Sequence, residues 1–352
     1  MLDARPRILS VGTANPPERY RQDELLDRFV VEDPRIRSLF TSSHIQTRHL
    51  YLPPVDEKGA PSETQGQLLA KHRRGAMEIG PQAVNRCLGP TGLGVRDIDH
   101  LVCITTTGYM VPGLTALLMR EMGFREDCSR ADIVGMGCNA GLNGLNLTAS
   151  WALANPGRNA LMVCMEICSA AYVFDGSMRT AIVNSLFGDG SAAVLVRASE
   201  KDEPLFAPRI LGFNSHIIPE AVEAMRYDWD ESFGKFSFFL DRDIPYVVGA
   251  NAEKPVRRLL DAHGLKRRHI SHWLVHSGGK KVVDAIKYNV GLTDHDVRHT
   301  HSVLRDYGNL SSGSFLFSFE RLLGEGKVRR GDYGVMMTMG PGSTIETALI
   351  RW

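Results

Sequence analysis

The sequence predicts an α/β protein. Short apolar, β-branched runs alternate with longer helical patterns along the chain, as expected of strands and helices layered on one another. Glycine-rich elbows follow several apolar runs, and breaks such as Asn155-Pro156-Gly157 fall where helical patterns stop. A chain of 352 residues also exceeds the size at which one core usually stops growing, so one large or two closely packed domains are expected.

In chain order, Leu101 to Thr105, Ile133 to Met136, Ala160 to Met165, Ala192 to Val196, Trp273 to Val275 and Gly334 to Thr338 read as buried strands. Gly141 to Ala154 reads as a helix, as does Lys280 to Asn289, which ends near Gly291. The polar stretch Ser199 to Pro208 is the expected boundary, giving an N-terminal half of residues 1–203 and a C-terminal half of 204–352. Glu32 to Gln65, rich in Arg, Pro and Ser, reads as loops, over a site or on plain surface. Phe233 to Pro245 reads as a core strand or helix edge, with an aromatic gate over a tunnel as the alternative.

Forty-one basic residues balance forty acidic ones with no block of like charge, which argues against nucleic acid or a membrane surface as a partner and for a small-molecule substrate. No early stretch has signal-peptide length, and the apolar run Ala160 to Phe174 is too short to span a bilayer and contains Glu166. A soluble, cytoplasmic protein is expected. The six cysteines lack CxxC spacing, so they read as reduced thiols rather than a disulfide framework or a metal site.

Cys138 stands out because it follows an apolar run and precedes a helix, with Gly135, Gly137 and Gly141 around it. The positive field of a helix N-terminus favours thiolate, and the small neighbours admit a substrate carbonyl; a buried cysteine in a tight turn is the alternative. His276 ends the run HWLV before Ser277-Gly278-Gly279, where it is a proton acceptor or simply a backbone-bonded loop histidine. Asn309 lies in DYGNLSSGSF as an amide donor or a helix N-cap. The GDG at 188–190 and GPGS at 340–343 lack the frames of nucleotide loops. Arg35, Arg37, Arg48, Lys71, Arg73 and Arg74 form either a basic rim for a phosphate or ordinary solvated surface.

Taken together, GCNAG around Cys138, LFGDGSAA at 186–193, HSGGKK around His276, YGNLSSGSF around Asn309 and MGPGST at 339–344 resemble the type III polyketide synthases of the chalcone synthase superfamily. The phrases VGMGCNAGLN, AMRYDWD and FSFFLDRDIPYVVGA are most similar to the bacterial branch that makes 3,5-dihydroxyphenylacetyl-CoA for glycopeptide antibiotics.

The resemblance implies a thiolase fold, two similar αβαβα halves in a five-layered arrangement, and a homodimer. It implies a catalytic Cys138, His276 and Asn309, malonyl-CoA as starter and extender, and no metal or redox cofactor. Phe187 and Phe238 match the family's two gatekeeping phenylalanines, and Val111 matches a residue that crosses the dimer to the partner's cavity. Asn139, Ser311 and Gly340 complete the expected substrate-binding set. Ser38 and Ser42 stand where basic coenzyme A contacts are expected, and Thr338-Met339-Gly340-Pro341-Gly342 replaces the plant GFGPG loop. Neighbouring readings are a malonyl-only tetrahydroxynaphthalene synthase, a ketoacyl-ACP synthase III-like initiator and a catalytically dead thiolase-fold partner.

Overall fold

The computed structural model describes residues 5–55, 61, 63–199 and 207–352. Its strands are β1 Arg5–Ala14, β2 Arg19–Arg21, β3 Thr47–His49, β4 His100–Thr105, β5 Ser129–Val134, β6 Ala160–Glu166, β7 Gly190–Ser199, β8 Arg209–Ile217, β9 Met225–Asp230, β10 Lys235–Leu240, β11 Ile270–Val275, β12 Tyr333–Gly340 and β13 Thr344–Arg351. The helices are α1 Gln22–Arg28, α2 Pro34–Thr41, α3 Gln65–Leu88, α4 Leu114–Met122, α5 Ala140–Ala154, α6 Met178–Leu186, α7 Ile244–Asp261, α8 Lys280–Val290, α9 Arg298–Tyr307 and α10 Ser314–Glu325.

Nine strands share one hydrogen-bonded order, β11-β12-β13-β8-β1-β7-β6-β4-β5, but the order contains a repeat. From β1 outward, β7 pairs antiparallel with β1, β6 antiparallel with β7, and β4 parallel with β6. From β8 outward, β13, β12 and β11 reproduce that sequence of antiparallel, antiparallel and parallel pairings. The two sets meet at one residue pair, Arg7 opposite Arg209. Helices α5 and α10 pack against strands of both sets, α3 covers β1, β6 and β7, and α7 covers β8 and β13. Sheets covered on both faces need apolar residues at nearly every position, which is why the strands read as continuous apolar runs rather than alternating ones. The result is the five-layered thiolase arrangement of two similar halves.

The expected boundary between residues 203 and 204 lies outside the described residues. The run expected as a buried strand over Ile133 to Met136 is corrected: β5 spans Ser129–Val134 and lies at the sheet edge. Val134 is 42% and Met136 39% exposed in the single chain, because β5 pairs only with β4. Glu32 to Gln65 is not only loop, since it holds α2, started by Asp33 accepting from Arg35 N at 2.8 Å, and β3. The phenylalanine-rich run supplies β10, which pairs with the preceding β9 as a hairpin, and then turns into α7. No helix among the described residues is long and apolar enough to cross a membrane.

Candidate active site

The elbow at Cys138 is built by two close backbone approaches. Gly135 and Gly137 take φ of 85° and 75°, the left-handed region that favours glycine, and turn the chain from β5 into a short helical turn at Gly137–Asn139 ahead of α5. A Cβ at Gly137 would lie 2.0 Å from Pro341 Cδ, and one at Gly340 would lie 2.9 Å from Cys138 N. The loop after β12 therefore presses on the elbow, and Gly340 supports the nucleophile's backbone rather than lining a chamber.

His276 directly follows β11, its amide donating to Met337 O at 2.8 Å. Its Nδ1 contacts Ser314 Oγ, and the Ser314 hydroxyl donates to Ser311 O at 3.2 Å. That arrangement leaves the Nδ1 proton for Ser314 and the Nε2 lone pair for chemistry. Asn309 follows Gly308 and is tied to the end of α6: its amide donates to Leu186 O at 2.9 Å, and Gly188 N donates to its carbonyl at 2.9 Å. Asn309 Oδ1 accepts from Ser311 N at 2.8 Å, which orients the amide NH2 as the free donor. The helical turn ahead of α10 spans Ser311–Gly313 and its cap position is Leu310, so Asn309 lies one residue before the cap while its Oδ1 holds the turn's first amide.

Cys138, His276 and Asn309 converge on one chamber of about 560 Å³ whose mouth carries Arg242, Lys280 and Lys281. A second chamber of about 390 Å³ adjoins it, lined by Thr106, Thr107, Cys168, Tyr227 and Ser311. Cys138, Phe187, Met225 and Phe238 belong to the walls of both. The rings of Phe187 and Phe238 meet edge to face, with centroids 5.9 Å apart.

Burial pushes the Cys138 thiol up to about 12; hydrogen bonds from Ser311 and Asn309 pull it down, while Glu166 adds to the rise. The expected lowering by the helix N-terminus is thus overruled in the free site, because desolvation of a charge outweighs the field of a short turn. Burial also holds His276 down at about 3. In the free site burial thus disfavours the charged form of both the thiol and the imidazole.

Sequence reasoning missed the buried network behind the second chamber. Glu166 Oε2 accepts from Thr106 N at 2.9 Å, Thr106 Oγ1 at 3.0 Å and Thr107 Oγ1 at 3.1 Å, and its Oε1 accepts from Ser312 Oγ at 2.5 Å. Thr106 Oγ1 and Ser311 Oγ lie 2.9 Å apart, so the network reaches the chamber wall. The signal was present: one acid inside an otherwise apolar strand is tolerated only with several donors around it.

Other expected site residues fall elsewhere. Asn139 turns its amide to Thr344 Oγ1 and lines neither chamber. Val111 is 84% exposed on the loop before α4 and lines neither chamber. None of the six basic residues expected as a rim lines either chamber; Arg48 is 0% exposed and Lys71 is buried against Glu63 at 2.6 Å. Cations at the chamber mouth come instead from the start of α8 and from Arg242. Among the described residues no group of His, Cys, Asp and Glu is placed to hold a metal ion.

Comparison with known proteins gives a consistent result. The family models for the N-terminal and C-terminal domains of chalcone and stilbene synthases match residues 3–200 and 213–352. The chain is 59% identical to a 3,5-dihydroxyphenylacetyl-CoA synthase of Streptomyces toyocaensis, over 99% of this chain and 90% of that one. It is also 59% identical to one of Amycolatopsis orientalis, over 98% of this chain and 93% of that one. Identity to a 1,3,6,8-tetrahydroxynaphthalene synthase of Streptomyces peucetius subsp. caesius is 32%, over 100% of this chain and 94% of that one. Among solved structures, the 1,3,6,8-tetrahydroxynaphthalene synthase of Streptomyces coelicolor A3(2) superposes with a TM-score of 0.88 at 28% identity, over 98% of this chain and 99% of that one. A polyketide synthase of the brown alga Ectocarpus siliculosus shares the fold with a TM-score of 0.93, over 99% of this chain and 98% of that one.

Proposed function

This chain belongs to the chalcone and stilbene synthase family of type III polyketide synthases, and from that premise we propose that it condenses malonyl-CoA units and cyclises the tetraketide to 3,5-dihydroxyphenylacetyl-CoA. The observation that carries this reading is the convergence of Cys138, His276 and Asn309 on one chamber, joined to 59% identity with synthases of that product.

In the proposed reaction, a starter thioester enters past Lys280 and Lys281. Cys138 Sγ attacks its carbonyl while His276 Nε2 takes the thiol proton and keeps it, and coenzyme A departs as its thiolate, which solvent protonates. A malonyl thioester next places its carbonyl oxygen against protonated His276 Nε2 and the Asn309 amide. Both donors stabilise the enolate formed as carbon dioxide departs. The carbanion attacks the Cys138-bound acyl carbon, breaks the C–S bond and returns the thiolate. Each step is served by a side chain or by thioester activation, so the reaction as proposed calls on no metal or redox cofactor.

Carbon bookkeeping supports the product. A malonyl starter and three decarboxylated extenders give a nine-carbon chain with a free carboxylate at C9 and a thioester at C1. Attack of C8 on the C3 ketone closes a six-membered ring, and loss of carbon dioxide and water makes it aromatic. The C5 and C7 oxygens become the meta hydroxyls, and C2 with the thioester remains as the acetyl-CoA arm. Incubation with malonyl-CoA alone and chromatography against standards tests this; a pentaketide naphthalene, or dependence on an aromatic starter, overturns it.

A second copy is proposed to cover the open edge of β5. Val134, Met136 and Leu147 are exposed beside it, as are Tyr109 and Val111 on the loop before α4, and clustered exposed apolar side chains mark interaction surfaces. Light scattering that finds an active monomer removes the dimer from the reading. The coenzyme A substrate and six free, buried thiols fit a cytoplasmic setting.

A further inference from the structure

Arg48 is a buried cation that the proposed chemistry does not use. It sits on β3 with no exposure, and among the described residues it makes no ion pair with a carboxylate. Its donors go to neutral oxygens. Nε and Nη2 reach Gln22 Oε1 at 3.0 and 2.7 Å, and Nη1 reaches Tyr172 Oη at 2.7 Å, Asn184 O at 2.6 Å and Phe187 O at 2.7 Å. Such a placement is costly for a charge and requires a compensating role.

That role is visible at the C-terminus of α6. The last carbonyls of a helix have no partner within it, and the helix dipole makes them attractive to a cation. Here each is taken. Asn184 O accepts from Arg48, Ser185 O from Gln22 Nε2 at 2.9 Å, and Leu186 O from Asn309 N at 2.9 Å. Phe187 O accepts from both Arg48 and Tyr172 Oη, the latter at 2.5 Å. The neighbouring Gly308 has φ of 72°, and a Cβ there would lie 2.7 Å from Leu186 O and 2.9 Å from Arg48 Cδ. The aromatic wall at Phe187 and the amide at Asn309 thus hang on one backbone junction clamped by one side chain.

We propose that Arg48 is a positioning residue that sets the register between Phe187 and Asn309, and so couples closure of the aromatic wall to placement of the enolate donor. This rests on the reading of Cys138, His276 and Asn309 given above. When the clamp is lost, Asn309 Nδ2 drifts from the malonyl carbonyl and decarboxylation slows. Phe187 no longer seals the wall, so water attacks the acyl–Cys138 thioester, forming a free acid and regenerating the thiol. Malonyl-CoA is then consumed without a matching yield of aromatic product.

The experiment compares the wild type with Arg48→Lys, Arg48→Met and Tyr172→Phe, and with Val84→Ala in α3 as a core variant remote from the junction. For each, melting temperature, the decarboxylation rate and the malonyl-CoA consumed per aromatic product are measured. The expected result for Arg48→Lys is a decarboxylation rate lower by about tenfold, as for a misplaced donor, and at least a doubled malonyl-CoA consumption per product. Tyr172→Phe shifts both in the same direction by less, and Val84→Ala lowers the melting temperature without changing the consumption ratio. Should Arg48→Met fail to fold, Arg48→Lys and Tyr172→Phe decide. Folded variants with wild-type rate and ratio overturn the proposal, and so does a ratio that tracks melting temperature alike in Val84→Ala. Because the ratio is taken against whichever aromatic the wild type makes, an unexpected wild-type product counts against the product reading and not against Arg48.

Discussion

The rings of Phe187 and Phe238 meet edge to face with centroids 5.9 Å apart, and that contact stands between a chamber with a basic mouth and a chamber lined by hydroxyls. The two rings come from distant places, Phe187 from the end of α6 and Phe238 from β10. Replacing Phe238 by Ala joins the chambers and admits water. The expected outcome is a fall in aromatic product of about tenfold with more hydrolysed short-chain acids, read by chromatography of a malonyl-CoA incubation; an unchanged product profile counts against the wall.

Cys138→Ala is expected to abolish chain extension while the melting temperature stays within a few degrees of wild type, since the change removes one sulfur from a chamber wall. Intact-mass spectrometry after malonyl-CoA treatment shows an acyl adduct on the wild type only. An equal adduct on the variant assigns the nucleophile to another thiol, Cys168 being the other cysteine in these walls.

Asn309→Ala and His276→Ala each remove a donor to the developing enolate oxygen. Decarboxylation of malonyl-CoA is expected to fall by about a hundredfold in each. Undiminished carbon dioxide release from Asn309→Ala would falsify its role.

The acid side of the pH dependence follows from burial. His276 is held at about 3 and His72 at about 4, against an ordinary 6.5. Below about 6.5 the unfolded chain binds protons that the folded chain refuses, so the stability from these neutral rings is complete above that pH and is lost as pH falls. Two such groups remove up to about 2.7 kcal/mol per pH unit. Denaturant unfolding at pH 7 and pH 5 is expected to show a markedly lower midpoint at pH 5, with kcat/KM of the still-folded enzyme free of an inflection at 6.5. An inflection there means that His276 titrates as an exposed imidazole does.

Lys280 and Lys281 open α8 at the mouth of the His276 chamber, where a cation and a helix N-terminus together favour phosphate. The double change to Ala is expected to raise KM for malonyl-CoA several-fold with kcat little altered, because phosphate binding is the same in the ground and transition states. The effect should shrink at high salt. A pure loss of kcat places the phosphates elsewhere.

Much of the architecture was legible from local pattern. Strands β4, β6, β7, β11 and β12 overlap the apolar runs read as strands, and α5 and α8 match the helical patterns to within a residue or two, because both faces of each sheet are buried and chain-local hydrophobicity suffices. β5 was misjudged for the converse reason. Whether Val134 and Met136 face a core or an open edge is decided by which strands lie beside them, and no local pattern reports that.

The sequence by itself determined the elbows: Gly135, Gly137 and Gly279 precede Cys138 and α8 because only glycine tolerates those backbone angles and approaches, and such demands are written residue by residue. Only the tertiary structure decided which charges face solvent. Arg48 and Lys71 read as surface cations but are buried, Asn139 turns away from the chambers, and Glu166 gathers donors from two separate segments, at Thr106–Thr107 and at Ser312. Burial, and with it the raised thiol of Cys138 and the lowered imidazole of His276, depends on what the folded chain brings from hundreds of residues away, and desolvation is a property of that surrounding rather than of the residue.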